Sequence, residues 1–136
     1  RSVLSWIVYK MIGFRMSSQW CIMSDEFIAV ATKEVTDDID SIENILKLCA
    51  NDIDIFQNAS KFQKHTHKIK GLAPMMGKEP LGDLSSSLDD IFKKIIDGEN
   101  IVGVFTLMLE SIIHMRKSMN EIDYDFSQIN EKIRQL

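Results

Sequence analysis

His65-Thr66-His67-Lys68-Ile69-Lys70-Gly71-Leu72-Ala73-Pro74-Met75-Met76-Gly77 is the stretch whose geometry decides how this chain folds. Stepped as a helix at about 100° per residue from Phe62, it sorts its side chains into two faces. Phe62, Thr66, Ile69, Ala73 and Met76 fall together as a stripe for a core, with His65 and Leu72 at its edge. His67 falls about 140° round from Phe62, on the face toward water. Lys64 and Lys70 stand three residues before and after His67 and flank it there. Gly71, one turn on, leaves bare backbone beside the imidazole. An exposed histidine therefore sits between two cations, next to a gap that a second surface could enter.

Those groups suit phosphate. An imidazole of ordinary pKa, near ~6.5, is largely neutral at pH 7 and can act as a nucleophile. Phosphohistidine carries added negative charge, which nearby lysines would stabilise by charge-assisted contacts. A small neighbour lets a bulky donor or acceptor reach in-line geometry.

His67-x-x-Lys70-Gly71-x-Ala73-x-x-x-Gly77, followed by Leu81, Leu84, Leu88 and Asp89, resembles histidine-phosphotransfer (HPt) domains. The likeness runs from about Asp25 to about Ile122 and is strongest to the N-terminal HPt domain of the chemotaxis histidine kinase CheA. It implies that His67 is the phosphoacceptor and that Lys70 is the neighbouring base. It further implies that Asp89 occupies the place of a glutamate that holds the imidazole from the next helix. Asp is one methylene shorter than that glutamate. Pro74 is a second departure, since the family has a small residue there. Lys64, Gly71 and Pro74 are expected on the partner-facing surface around His67.

Composition narrows the alternatives. With 136 residues, 45% of them hydrophobic, the chain is expected to form one domain with a substantial core. A net charge of -4 and scattered Lys and Arg argue against nucleic acid as a partner. Cys21 and Cys49 make no framework. They read as reduced thiols of a cytosolic protein, a disulfide being the lesser reading.

Residues 1–22 mix Trp6, Tyr9, Phe14 and Trp20 with Lys10 and Arg15, and no uncharged run approaches the roughly 18 residues of a spanning helix. Two readings stand: an extension outside the domain, or an amphipathic segment for a membrane surface or a partner. Met23-Ser24-Asp25-Glu26 reads as a natural start, with Ser24 as N-cap, so the domain is expected over residues 23–136.

From Asp25 onward, Ile28, Val35, Ile39, Ile42, Leu46 and Cys49 recur at helical steps. Ala50-Asn51-Asp52 breaks the pattern, and a second helix is expected over residues 53–76. Pro74 predicts a kink or an end one turn past His67, and Gly77 a stop. Leu81, Leu84, Leu88, Ile91 and Ile95 form a narrow seam on a third helix, opened by Pro80 in its first turn. A fourth helix is expected over residues 101–119 and a short fifth over residues 126–136. No alternating strand pattern appears. The fold class expected is all-α: an up-down antiparallel four-helix bundle of the HPt kind, with an additional C-terminal helix and an N-terminal extension.

Other candidates read as structural. His65, at the edge of the core stripe, is expected to be partly buried. It cannot share a metal ion with His67, because the two side chains point about 200° apart on a helix. His114 reads as an incidental surface residue. No Gly-rich phosphate loop and no zinc spacing is present.

The resemblance therefore implies a phosphoacceptor and carrier domain of a two-component system. ATP and Mg²⁺ would come from a partner histidine kinase domain, and a response-regulator receiver aspartate would take the phosphoryl group. No cofactor is expected to be bound by the domain itself. A cytoplasmic, monomeric domain is expected, with a membrane surface as the weakest of the partner readings, through residues 1–22. The alternatives are a free-standing phosphorelay carrier, and an HPt-like interaction module without phosphoryl transfer.

Overall fold

The computed structural model describes residues 24–136. The expected extension over residues 1–22, with Cys21, lies outside the described residues. Within them the chain is all-helical: α1 (Asp25–Leu46), α2 (Asp52–Gln57), α3 (Ala59–Leu72), a 3-10 turn (Pro74–Met76), α4 (Glu79–Ile96), α5 (Val104–Asn120) and α6 (Ser127–Arg134). None of the described helices is long and apolar enough to cross a membrane.

Helix α1 begins where its cap allows. The Ser24 side chain accepts the Phe27 N–H at 3.0 Å, and Asp25 and Glu26 lie in the first turn, where the helix dipole favours acids. Its buried face is Phe27, Ala31, Val35, Ile39, Ile42 and Leu46.

The single helix expected over residues 53–76 is broken into α2 and α3. The break falls at Asn58, with φ -108° and ψ 12°. Its side-chain amide donates to the Asp54 carbonyl at 2.8 Å, and local bonding of this kind competes with the helical ladder. Helix α3 then ends at Leu72. Pro74 has no N–H to continue it, and Gly77 turns the chain with a left-handed φ of 80°. The kink-or-end expectation for Pro74 thus resolves as an end.

Helix α4 crosses close beneath that turn because residue 82 is glycine. A Cβ there would stand 2.8 Å from Cγ and 2.9 Å from Cδ of Pro74, inside van der Waals contact. The expected start of the fourth helix at residue 101 moves to Val104. Gly103, φ 93°, precedes it and offers no side-chain cap. Asp52 of α2 supplies one from across the chain, accepting the N–H of Gly103 at 2.9 Å and of Phe105 at 2.8 Å.

Helix α3 packs most extensively along α4 and next along α1; α1 also packs on α5, and α5 carries α6. One contiguous core joins them. The α4 seam of Leu81, Leu84, Leu88, Ile91 and Ile95 is wholly buried. Phe62 of α3 stacks on Phe92 of α4 with ring centroids 5.3 Å apart, and truncating such a ring costs about 3–5 kcal/mol. That contact fixes α3 against α4 at the level of the histidine stretch. Phe62, Thr66 and Ile69 face inward, so His67 is turned toward water.

Candidate functional site

Helix α3 presents His67 with its side chain 61% exposed. Behind it, on α4, Asp89 is completely buried. The order of the α4 sequence explains this: Leu88 and Phe92 fill the core on either side of Asp89, which takes the edge of the buried face. Burial pushes the Asp89 carboxyl up, but the Gln63 hydrogen bond and the nearby Lys93 ammonium group outweigh it. The net effect holds the group below the usual carboxylate range.

Four side chains converge on this carboxylate. Gln63, one turn before His67, donates its amide to Oδ1 at 2.7 Å. The other oxygen, Oδ2, faces three nitrogens: Lys93 Nζ at 3.2 Å, Lys70 Nζ at 3.5 Å and His67 Nδ1 at 3.6 Å. Oδ2 is shut off from solvent and accepts no well-formed hydrogen bond. At 3.6 Å the imidazole is beyond hydrogen-bond range but well within reach of the charge. The shorter acid therefore falls just short of the direct bond that the resemblance implies.

The remaining expected surface residues lie around this centre. Lys64 is exposed and forms no ion pair with the described residues. Gly71 is exposed, and a Cβ added there would meet nothing within 4 Å, so no packing among the described residues demands glycine. Pro74 is exposed at the start of the 3-10 turn.

Gln63 and Lys93 were not among the residues expected at the site. Their spacing could have found them: Gln63 is four residues before His67, and Lys93 four after Asp89. Both spacings put side chains on one helix face.

His65 is partly buried, as its edge position suggests. Its Nδ1 lies 2.9 Å from Oδ1 of Asp38, a buried residue of α1. Lys68 closes that cluster, pairing with Glu34 and standing 3.3 Å from the same Asp38 oxygen. His114 corrects the expectation of an incidental surface residue. It is half-buried, with Nδ1 2.7 Å from the Tyr124 hydroxyl and its ring against Tyr124 and Phe126. Burial, and then Lys117, pushes its pKa down, as suits a neutral packing residue. Cys49 is a free thiol whose pKa is raised by burial and by Asp54.

A cavity of about 200 Å³ lies elsewhere, between the 3-10 turn and the α5–α6 connection, lined by residues such as Lys78, Pro80, Glu121 and Tyr124. None of its lining residues belongs to the His67 cluster. Among the described residues, no three His, Cys, Asp or Glu side chains are grouped to hold a metal ion.

Chemically, the cluster offers an exposed nucleophilic ring, a buried anion on the Nδ1 side of that ring, and two ammonium groups at its border. The chain matches no family model, no curated protein and no solved structure.

Proposed function

We propose that this chain is a histidine-phosphotransfer domain of a two-component system, of the kind that serves chemotaxis kinases, with His67 as phosphoacceptor. The observation that carries the proposal is the single buried oxygen of Asp89, faced at once by His67, Lys70 and Lys93. An exposed histidine is ordinary; one backed by a buried anion that two ammonium groups also face is not.

The fold that goes with this reading is an up-down antiparallel four-helix bundle of α1, α2–α3, α4 and α5, with α6 added outside. The packing of α3 on α4 and α1, and of α1 on α5, supports it.

The chemistry follows from which ring nitrogen meets the acid. Asp89 lies on the Nδ1 side, so it favours the tautomer protonated there and leaves the Nε2 lone pair free. Nε2 attacks phosphorus. The bond from phosphorus to the donor oxygen breaks, and the electron pair leaves on ADP or on a receiver carboxylate. The Nδ1 proton stays, so the product ring is a phosphoimidazolium. Its positive charge draws toward Asp89, and contacts of this kind tighten as charge develops. Lys70 meets the incoming phosphoryl oxygens. The partner kinase domain brings ATP and Mg²⁺, and a receiver aspartate later takes the group. Partners of this kind put the domain in the cytoplasm, acting as a carrier more than as an enzyme.

The test is incubation with a histidine kinase catalytic domain and ATP, followed by mass analysis of the linkage. Acid-labile label on His67, absent from His67→Gln, is the expected result. Label that persists in His67→Gln would sink the assignment.

A further inference from the structure

We infer that Lys93, contributed by α4 rather than by the histidine helix, is a second phosphoryl-binding cation that sets the lifetime of phosphorylated His67. The inference rests on the proposed role of His67 and extends it.

The charge count at the site motivates it. Asp89 offers one negative charge, and its Oδ1 is already engaged by Gln63. Two ammonium groups nevertheless stand at Oδ2, Lys93 at 3.2 Å and Lys70 at 3.5 Å. One carboxylate neutralises one of them, so the resting site holds a surplus cation. A phosphoryl dianion is the partner that completes the balance.

Position supports the same conclusion. Lys93 forms no ion pair with the described residues other than that with Asp89. Its side chain is 52% exposed, so the ammonium end can leave the carboxylate and swing outward. Lys70 reaches Asp89 Oδ2 from α3 and Lys93 reaches it from α4, so from both helices the two ammonium groups approach the oxygen that His67 Nδ1 also faces. A plain i,i+4 helix pair has two solvated partners; here the acid is fully enclosed and the lysine stands at the mouth.

Transfer then works as an exchange. When Nε2 gains the phosphoryl group, the Nδ1–H of the charged ring takes Asp89 Oδ2. Lys70 and Lys93 move from that oxygen to the phosphoryl oxygens. Loss of the group to water runs through a loose transition state, in which charge on those oxygens falls. Cations at the oxygens therefore favour the intact phosphohistidine over its breakdown.

Phosphoramidate tests this without a cognate kinase. His67 Nε2 attacks its phosphorus, the P–N bond breaks, and ammonia leaves with the electron pair while the ring proton stays on Nδ1. The full chain is loaded, freed of reagent, and followed by intact mass as the label is lost. Lys93→Met is expected to shorten the phosphohistidine half-life roughly three- to tenfold, the range for one partly exposed charge-assisted contact. Lys93→Arg is expected to restore it, since guanidinium also binds phosphate. An unchanged thermal midpoint in Lys93→Met would separate this effect from damage to the fold. Equal half-lives in wild type and Lys93→Met overturn the role of Lys93 and leave that of His67 standing. A wild type that takes no label at His67 overturns both.

Discussion

On one side of α3, His65 faces α1; on the other, His67 faces α4. Each histidine is followed three residues later by a lysine, Lys68 or Lys70, and each turns Nδ1 toward a buried aspartate of the neighbouring helix, Asp38 or Asp89. The local sequence is thus nearly the same, His-x-x-Lys, yet the two clusters differ in kind. His65 has 18% of its side chain exposed and touches its acid at 2.9 Å, while His67 has 61% exposed and stands off at 3.6 Å. Lys68 is tied to Glu34 as well as Asp38, so two carboxylates surround one ammonium group. At the other cluster two ammonium groups surround one carboxylate. The first is closed and has all the anion it can use. The second is short of anion and open to water, which is what a carrier of phosphoryl groups needs. Tertiary neighbours, not the motif, make one pair enclosed and the other open.

The sharpest way to break this contrast is to remove each histidine in turn. His67→Gln is expected to lose all label from a kinase domain and ATP, with stability within about 0.5 kcal/mol of wild type, as for an exposed site. His65→Gln is expected to keep the label on His67. It should lose about 1–3 kcal/mol in urea denaturation, because a buried carboxylate loses a hydrogen-bond partner. The opposite pattern in either variant would show that the roles of the two faces have been exchanged.

The acids come next in expected effect. Asp89→Asn removes the charge that, on the proposed function, stabilises the phosphorylated ring, and labelling is expected to slow about tenfold, or about 1.4 kcal/mol in barrier. It also changes the pH dependence of stability, and the sign can be worked out. The Asp89 carboxyl is held below its usual range in the folded chain. Its contribution is therefore complete above the ordinary aspartate pKa of about 3.9 and is lost as pH falls through the lower folded value. Urea midpoints of wild type and Asp89→Asn should differ most near neutral pH and converge in acid. A gap that widens in acid would contradict the charge-paired Asp89 described above.

How far such a site can be read from the chain depends on which forces are local. The seam from Leu81 to Ile95 and the inward stripe of Phe62, Thr66 and Ile69 follow from helical periodicity, and all are buried. The exposed face of His67 follows from the same periodicity. The break at Asn58 does not, because it depends on one side chain competing for a backbone carbonyl within an otherwise helical run. The Asp52 cap on α5 was hidden for another reason. An acid in the first turn of its own helix gives no sign that it also serves a helix some fifty residues away. Asp89 lay in a Leu-Asp-Asp run that reads as a polar face, and its burial needs α3 packed against it. His114 reads as a surface residue in sequence because its partners, Tyr124 and Phe126, reach it only once α6 folds back.

The smallest effect is expected at Gly71, and it tests the open face alone. A Cβ there meets nothing within 4 Å, so Gly71→Ala relieves the helix of a glycine without a clash and should gain about 0.5–1 kcal/mol in stability. Glycine at this position is thus less stable than alanine would be, and nothing among the described residues compensates. On the proposed function, the compensation comes from a partner surface that approaches the backbone one turn from His67. Phosphoramidate is small and should label Gly71→Ala at the wild-type rate. A kinase domain is large and should label it more slowly, by about threefold if one methyl group disturbs the contact by less than 1 kcal/mol. Equal slowing with both donors would mean that the methyl group disturbs the imidazole itself. No slowing with either would mean that the partner approaches from another side, and the open face of α3 would lose its distinction from the closed one.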